Sequence, residues 1–420
     1  MRMTLWIGAL ATIGALYAQD ISGDWQGTLK AGQDLRIILH IEKGDKGVFK
    51  CTLYSIDQGP DGVQATSVQL KDSVLKVGLD LLLASYEGKV SADGNSITGN
   101  WSQGMKLPLD FQRATRETAW RRDSSPHTIQ FITVDANVKL EVLDWGGSGR
   151  PLVFLAGMGN TAHVFDTFAL KFTAKYHVYG ITRRGFGDSS VPDSGYSSDR
   201  LGDDVLAVMD TLKLNRPVLV GHSIAGEELS SIGSRHPEKV AGLIYLDAAY
   251  PYAFYDRAHG DLNLDSLDLQ KKLDQLRPGN GQQDRKQLAQ ELLKTDLPRL
   301  EKDLQEELKD MEFEPANLLK LQLPAPVQAI IAGQQKYTEI RVPVLAIYAI
   351  PHSGVPAPDQ ASRAAAEARD IAVSEAQAKA FETGVPSAHV VRLPHANHFV
   401  FKSNESDVVR EMNAFLESLP

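Results

Sequence analysis

The chain has 420 residues, of which 43% are hydrophobic and 23% charged, enough to bury a substantial core and more length than a single domain usually needs. Its formal net charge of -9 argues against a general basic surface, so no nucleic-acid partner is expected. One cysteine, Cys51, excludes an intramolecular disulfide and reads as a small buried hydrophobe in a strand.

The chain begins MRMTLWIGALATIGALYAQD, with Arg2, an apolar run from Leu5 to Leu16, and Ala18 before Gln19 and Asp20. That is the layout of a signal peptide over residues 1–18, and the run is short for a bilayer span. The expectation is an exported protein, periplasmic or extracellular, with no integral membrane segment once the signal is removed.

Residues 19–114 hold short runs with period-two alternation, separated by Gly, Asp and Asn turns. In LRIILHIEK, the side chains of Leu35, Ile37, Leu39 and Ile41 share one face. GDWQG and GNWSQG look like two versions of one strand motif, with Trp25 and Trp101 as core plugs. A small antiparallel all-β unit is expected, and it resembles a lipocalin-like barrel. Its interior either holds a ligand or is filled by its own side chains.

Residues 115–129 are polar, contain Ser-Ser-Pro and read as a linker. From 130 to 420, runs such as PLVFLAG, HVYGIT, PVLVGHS, GLIYLD, PVLAIYA and HVVRLP alternate with helix-length segments, as in an α/β domain whose sheet is covered on both faces. An insertion from about 250 to 340 is dense in charge and Leu. There Leu297, Leu300, Leu304, Leu308 and Met311 fall at helical spacing, which predicts a helical lid with its apolar underside packed on the domain.

VLVGHSIAGEEL joins a strand to a helix at Ser223. A serine hydroxyl needs a base to take its proton and donors to hold the oxyanion that its attack creates. On a strand-turn-helix it would stand above the sheet at a helix N-terminus, although a plain capping serine fits the motif too. LAGMGN places Gly157, Met158 and Gly159 after an early strand, so the main-chain amides of Met158 and Ile224 are the candidate oxyanion donors. LPHANHFVF supplies His398 as the base, with His395 shaping the loop. The acid is Asp247, at the end of GLIYLD, or alternatively Asp359, because PVLAIYA continues into AIPHSG, with His352 and no carboxylate. Tyr250, Tyr252 and Phe254 follow Asp247 and either line a substrate pocket or anchor the lid. Arg183 and Arg184 either meet a substrate carboxylate or form structural ion pairs. No paired-Cys, His-Glu-x-x-His or phosphate-loop pattern stands out, so neither metal nor cofactor is expected.

On LAGMGN, RRGFGDSS, VGHSIAGEE, GLIYLD and LPHANHFVF, in that order, residues 130–420 resemble the α/β-hydrolase fold family. The resemblance implies a mostly parallel eight-stranded sheet, a helical lid and the roles named above. It also supports Asp247, since haloalkane dehalogenases take their acid from the strand matching GLIYLD. Dehalogenases and epoxide hydrolases use an Asp nucleophile, which Ser223 disfavours. The expected activity is cleavage of a small-molecule carboxylic ester through a Ser-His-Asp acyl-enzyme. A serine peptidase of aminopeptidase type and a non-catalytic ligand-binding protein are the alternatives.

Overall fold

A computed structural model describes residues 20–31, 34–44, 48–56, 62–120, 125–277, 284–311, 323–353 and 360–420. The leader 1–18 and Asp359 therefore lie outside the described residues. The chain divides into two units, Met1–Asp123 and Ser124–Pro420.

Alternating patterning in the first unit yields β1 (Gly23–Lys30), β2 (Asp34–Lys43), β3 (Phe49–Ser55), β4 (Gly62–Gln64), β5 (Ser67–Lys71), β6 (Val74–Leu79), β7 (Ala84–Val90), β8 (Ser96–Gln103), β9 (Met105–Pro108) and β10 (Phe111–Arg113). These form one antiparallel sheet in the order β4-β3-β2-β1-β10-β8-β7-β6-β5, with β9 paired to β8. Leu35, Ile37, Leu39 and Ile41 all turn into the core, as their spacing requires. They share that core with Trp25, Trp101, Tyr86 and Phe111 and with further aliphatic side chains. Cys51 is buried among them, and burial pushes its thiol up to about 12.

The second unit is built on eight strands: β11 (Thr128–Asp135), β12 (Val138–Gly146), β13 (Pro151–Leu155), β14 (His177–Ile181), β15 (Val218–His222), β16 (Gly242–Leu246), β17 (Val344–Ala349) and β18 (Ala388–Leu393). Their order is β11-β12-β14-β13-β15-β16-β17-β18. The sheet is mixed: β12 runs antiparallel to both β11 and β14, and the remaining pairs are parallel. The six parallel strands are the apolar runs visible in the sequence. Val153, Leu219, Leu243 and Val344 pack on one face, while Phe154, Val220, Ile244 and Leu345 pack on the other. The β11–β12 hairpin had no such signal, because β11 is largely exposed, and it starts at Thr128, inside the stretch read as linker.

β13 has β14 on one side and β15 on the other, although β14 follows it in the chain. The loops leaving β13 and β15 therefore diverge at a switch in strand order, where parallel sheets open a crevice. Between β16 and β17 the insertion carries helices at Leu262–Gln275, Arg285–Glu291, Leu297–Met311 and Ala325–Ala332.

The predicted leucine stripe is not a buried underside. Leu300 packs against a small cluster of Leu269, Leu288 and Leu292, but Leu297, Leu304 and Leu308 are exposed. Helical spacing gathers these side chains on one face, while packing decides whether that face meets anything. Leu304→Ser and Leu308→Ser should therefore each change stability by no more than about 0.5 kcal/mol. Ile244→Ala, which empties a site between the two layers, should cost about 2–5 kcal/mol in urea denaturation.

Candidate active site

β15 ends at His222, which is still extended, and the next residue, Ser223, turns into the left-handed region at φ +54°. The Gly226–Arg235 helix begins three residues later. Such a conformation costs a non-glycine residue about 1–3 kcal/mol, so it persists only where the surroundings impose it. Gly226 supplies one constraint, because a Cβ there would lie 2.0 Å from the Ala248 carbonyl oxygen. The glycine that follows Ala225 is thus the position at which the helix meets the loop after β16.

The loop after β13 closes a tight turn, with Asn160 N donating to Gly157 O at 3.2 Å and Gly159 at φ +75°. A Cβ on Gly157 would lie 2.8 Å from His222 Nδ1 and 3.1 Å from Ser223 Cβ, so the turn carrying Met158 presses directly on the serine. Arg183 holds this loop in place. Its Nη2 donates to Ala156 O at 2.9 Å, and the guanidinium grips Glu228 in bidentate fashion at 2.6 and 2.8 Å. Arg184 grips Asp204 in the same way at 2.6 and 2.7 Å. Both arginines are buried in ion pairs, the structural one of the two roles open to them.

Asp247 follows β16 with no side-chain exposure and φ +48°. Its Oδ2 accepts from His398 Nδ1 at 2.6 Å and from His352 Nε2 at 2.8 Å. Oδ1 accepts from the Tyr250 hydroxyl at 2.9 Å and from Ala349 N at 3.0 Å. Burial alone would raise this carboxyl, but the bonds from His352 and His398 outweigh it and bring the pKa to about 2. The carboxylate is therefore charged at neutral pH. With Nδ1 of His398 committed to Asp247, its Nε2 is the nitrogen left to exchange a proton. The His398 ring lies 4.7 Å from that of His222, the residue before Ser223. His222 Nε2 donates to the His398 carbonyl oxygen at 2.9 Å, tying the two loops together. Burial and the neighbouring His398 push His222 down to about 3, so it stays neutral.

The other sequence candidates separate. His395 is exposed, at φ +56° in the loop after β18. Tyr252, like Met158 and Phe186, packs against the cluster that holds Ile224, and its hydroxyl lies near Ser223. Burial and the charges of Asp247 and Glu227 raise that hydroxyl well above its ordinary value. Tyr250 is given to Asp247, and Phe254 packs edge-on against Phe381 in the core. Three residues escaped the sequence reading as contributors here: His352, its partner Asp370, and Glu227. His352 stood where an acid was sought, and Asp370 lies on the distant Gln360–Gly384 helix, so their pairing had no local signal. Glu227 is fully buried on the helix behind Ser223, and among the described residues neither carboxylate oxygen has a donor in hydrogen-bonding geometry.

Two clusters among the described residues have donor types that a metal accepts: Asp247 with His352 and His398, and Asp166 with His127 and His163. Their atoms are already matched as hydrogen-bonded ion clusters. In the second, His163 stands 3.3 Å from both Asp166 and Glu141, and His127 stands 2.9 Å from Asp166.

A model of the alpha/beta hydrolase family matches residues 152–411. Among curated proteins, the chain is 35% identical over 123 residues to AB hydrolase superfamily protein YisY of Bacillus subtilis, covering 29% of this chain and 46% of that one. It is 26% identical over 101 residues to 2-(acetamidomethylene)succinate hydrolase of Mesorhizobium japonicum, covering 24% of this chain and 36% of that one. The matched segments thus span less than half the length of these relatives. A solved structure of E-2-(acetamidomethylene)succinate hydrolase superposes with a TM-score of 0.44 at 18% identity, covering 70% of this chain and 100% of that one.

Burial, reinforced by the charge of Glu228, pushes the Glu227 carboxyl from 4.5 up to about 8. The folded value lies above the unfolded one, so the unfolded chain releases this proton first. The stability tied to it is present below about pH 4.5 and lost as the pH rises towards about 8. Glu227→Gln should remove that loss, so the gap in Tm between variant and wild type should widen from pH 5 to pH 8 in calorimetry.

Proposed function

Because the chain belongs to the alpha/beta hydrolase family, we propose that it is an exported serine hydrolase cleaving carboxylic esters through an acyl-enzyme. In this reading, Ser223 attacks the ester carbonyl as His398 Nε2 takes its proton, and the amides of Met158 and Ile224 hold the oxyanion. The leaving alcohol then recovers the proton from His398, and a water activated by the same ring releases the acid. Asp247 stays ionised throughout, fixing the ring with Nδ1 protonated and stabilising the imidazolium. The observation that carries the reading is the 2.6 Å bond from His398 Nδ1 to Asp247 Oδ2, made beside a serine held in a left-handed turn. That bond is the reason for choosing Asp247 over Asp359.

Within the same proposal, the insertion between β16 and β17 is a lid and Tyr252 lines the acyl pocket. The N-terminal sheet is a lipocalin-like module, and the leader over residues 1–18 directs export.

Fluorophosphonate labelling of the purified protein should be complete in the wild type and absent in Ser223→Ala, which should also lose p-nitrophenyl ester turnover. Asp247→Asn should lower kcat about 10,000-fold. Gly157→Ala should lower kcat about 100- to 1,000-fold, since its Cβ would push the Met158 turn off the serine. An unlabelled Ser223 in the folded wild type would remove the serine mechanism.

A further inference from the structure

His352 follows β17 and faces a carboxylate on each side. Its Nε2 lies 2.8 Å from Asp247 Oδ2, its Nδ1 lies 2.8 Å from Asp370 Oδ1, and its backbone N donates to Asp370 Oδ2 at 2.6 Å. An ionised carboxylate only accepts hydrogen bonds, so both ring nitrogens must carry protons. A neutral imidazole in this position would turn a lone pair toward one of the two anions. His352 is therefore an imidazolium. Among the described residues, the Tyr250 hydroxyl also faces it, 3.4 Å from Nε2, as does the His398 ring, 6.2 Å away between centroids. His352 and His398 thus donate to the same oxygen of one carboxylate.

We propose that His352 is a positioning residue that sets the basicity of His398 through their shared Asp247 oxygen. A carboxylate oxygen that already accepts a bond from one cation has less charge to offer a second. His398 is consequently less basic than it would be on an Asp247 of its own. The bond to Asp247, only partly offset by burial and supplemented by Asp370, raises His352 to about 9, in keeping with a fixed positive charge across the neutral range. The inference rests on the proposed role of His398 and concerns how its pH response is tuned.

The test is a titration of the histidine ring nitrogens by NMR, using the full mature chain labelled with 15N-histidine, in wild type and His352→Gln. Glutamine keeps a donor for Asp247 but removes the charge. The His398 pKa should rise by about 1 unit in the variant, as expected for loss of a neighbouring cation. The acidic limb of kcat/KM for a p-nitrophenyl ester should move up by the same amount. An unchanged His398 pKa in a folded variant overturns the proposal and leaves His352 a structural cross-link. Should the variant not fold, the wild-type spectrum decides: a His352 with one unprotonated nitrogen at pH 7 overturns the proposal, and a doubly protonated ring supports it. The titration needs no substrate, so it judges His352 separately from the fluorophosphonate result, on which the serine mechanism stands or falls.

Discussion

Asp247 is a charged carboxylate with no exposed side-chain surface, and burying such a group is costly unless every lone pair finds a donor. The second unit meets that demand from three directions. Tyr250 comes from the chain just beyond Asp247, Ala349 N and His352 from the end of β17, and His398 from the loop after β18. Removing any of these donors would leave part of the charge uncompensated, so the acid organises the loops as much as they organise it. The arrangement follows from the sheet: β16, β17 and β18 are parallel neighbours, so their C-terminal ends emerge side by side.

A second buried charge system supports the opposite side of the site. The bidentate pairing of Arg183 with Glu228 links the chain after β14 to the helix that follows Ser223, and the extra bond to Ala156 O draws in the loop after β13. Desolvation makes buried ion pairs of uncertain net value for stability, but a fork-shaped guanidinium with fixed partners confines them to one geometry. That geometry matters at Gly157, where the backbone lies so close to His222 and Ser223 that no side chain fits. The Met158 turn and the Ser223 turn are therefore held in register by contact.

Two histidine rings share one carboxylate oxygen, and their surroundings differ. The His352 side chain is 19% exposed and clamped between Asp247 and Asp370, whereas that of His398 is 43% exposed and, among the described residues, paired with Asp247 alone. Two carboxylates hold the one ring, and Asp247 holds the other. A single acid thus holds two histidines from two different loops.

Much of this was legible in the linear chain. Alternation in β2 disclosed which face enters the first core, and the unbroken apolar runs of β13 to β18 announced strands covered on both sides. Those signals are local, carried by side-chain type at fixed spacing. The glycines around Ser223 were readable for the same reason, since turns demand particular residues, whereas the sequence left the acid open between Asp247 and Asp359. Tertiary structure alone decided the rest. It brought His352 to Asp247 and Asp370 to His352, left Leu297, Leu304 and Leu308 exposed, and paired both arginines with buried acids, because each depends on which distant surfaces come together. Sequence determined which residues can form a face or a turn, and packing determined what each of them meets.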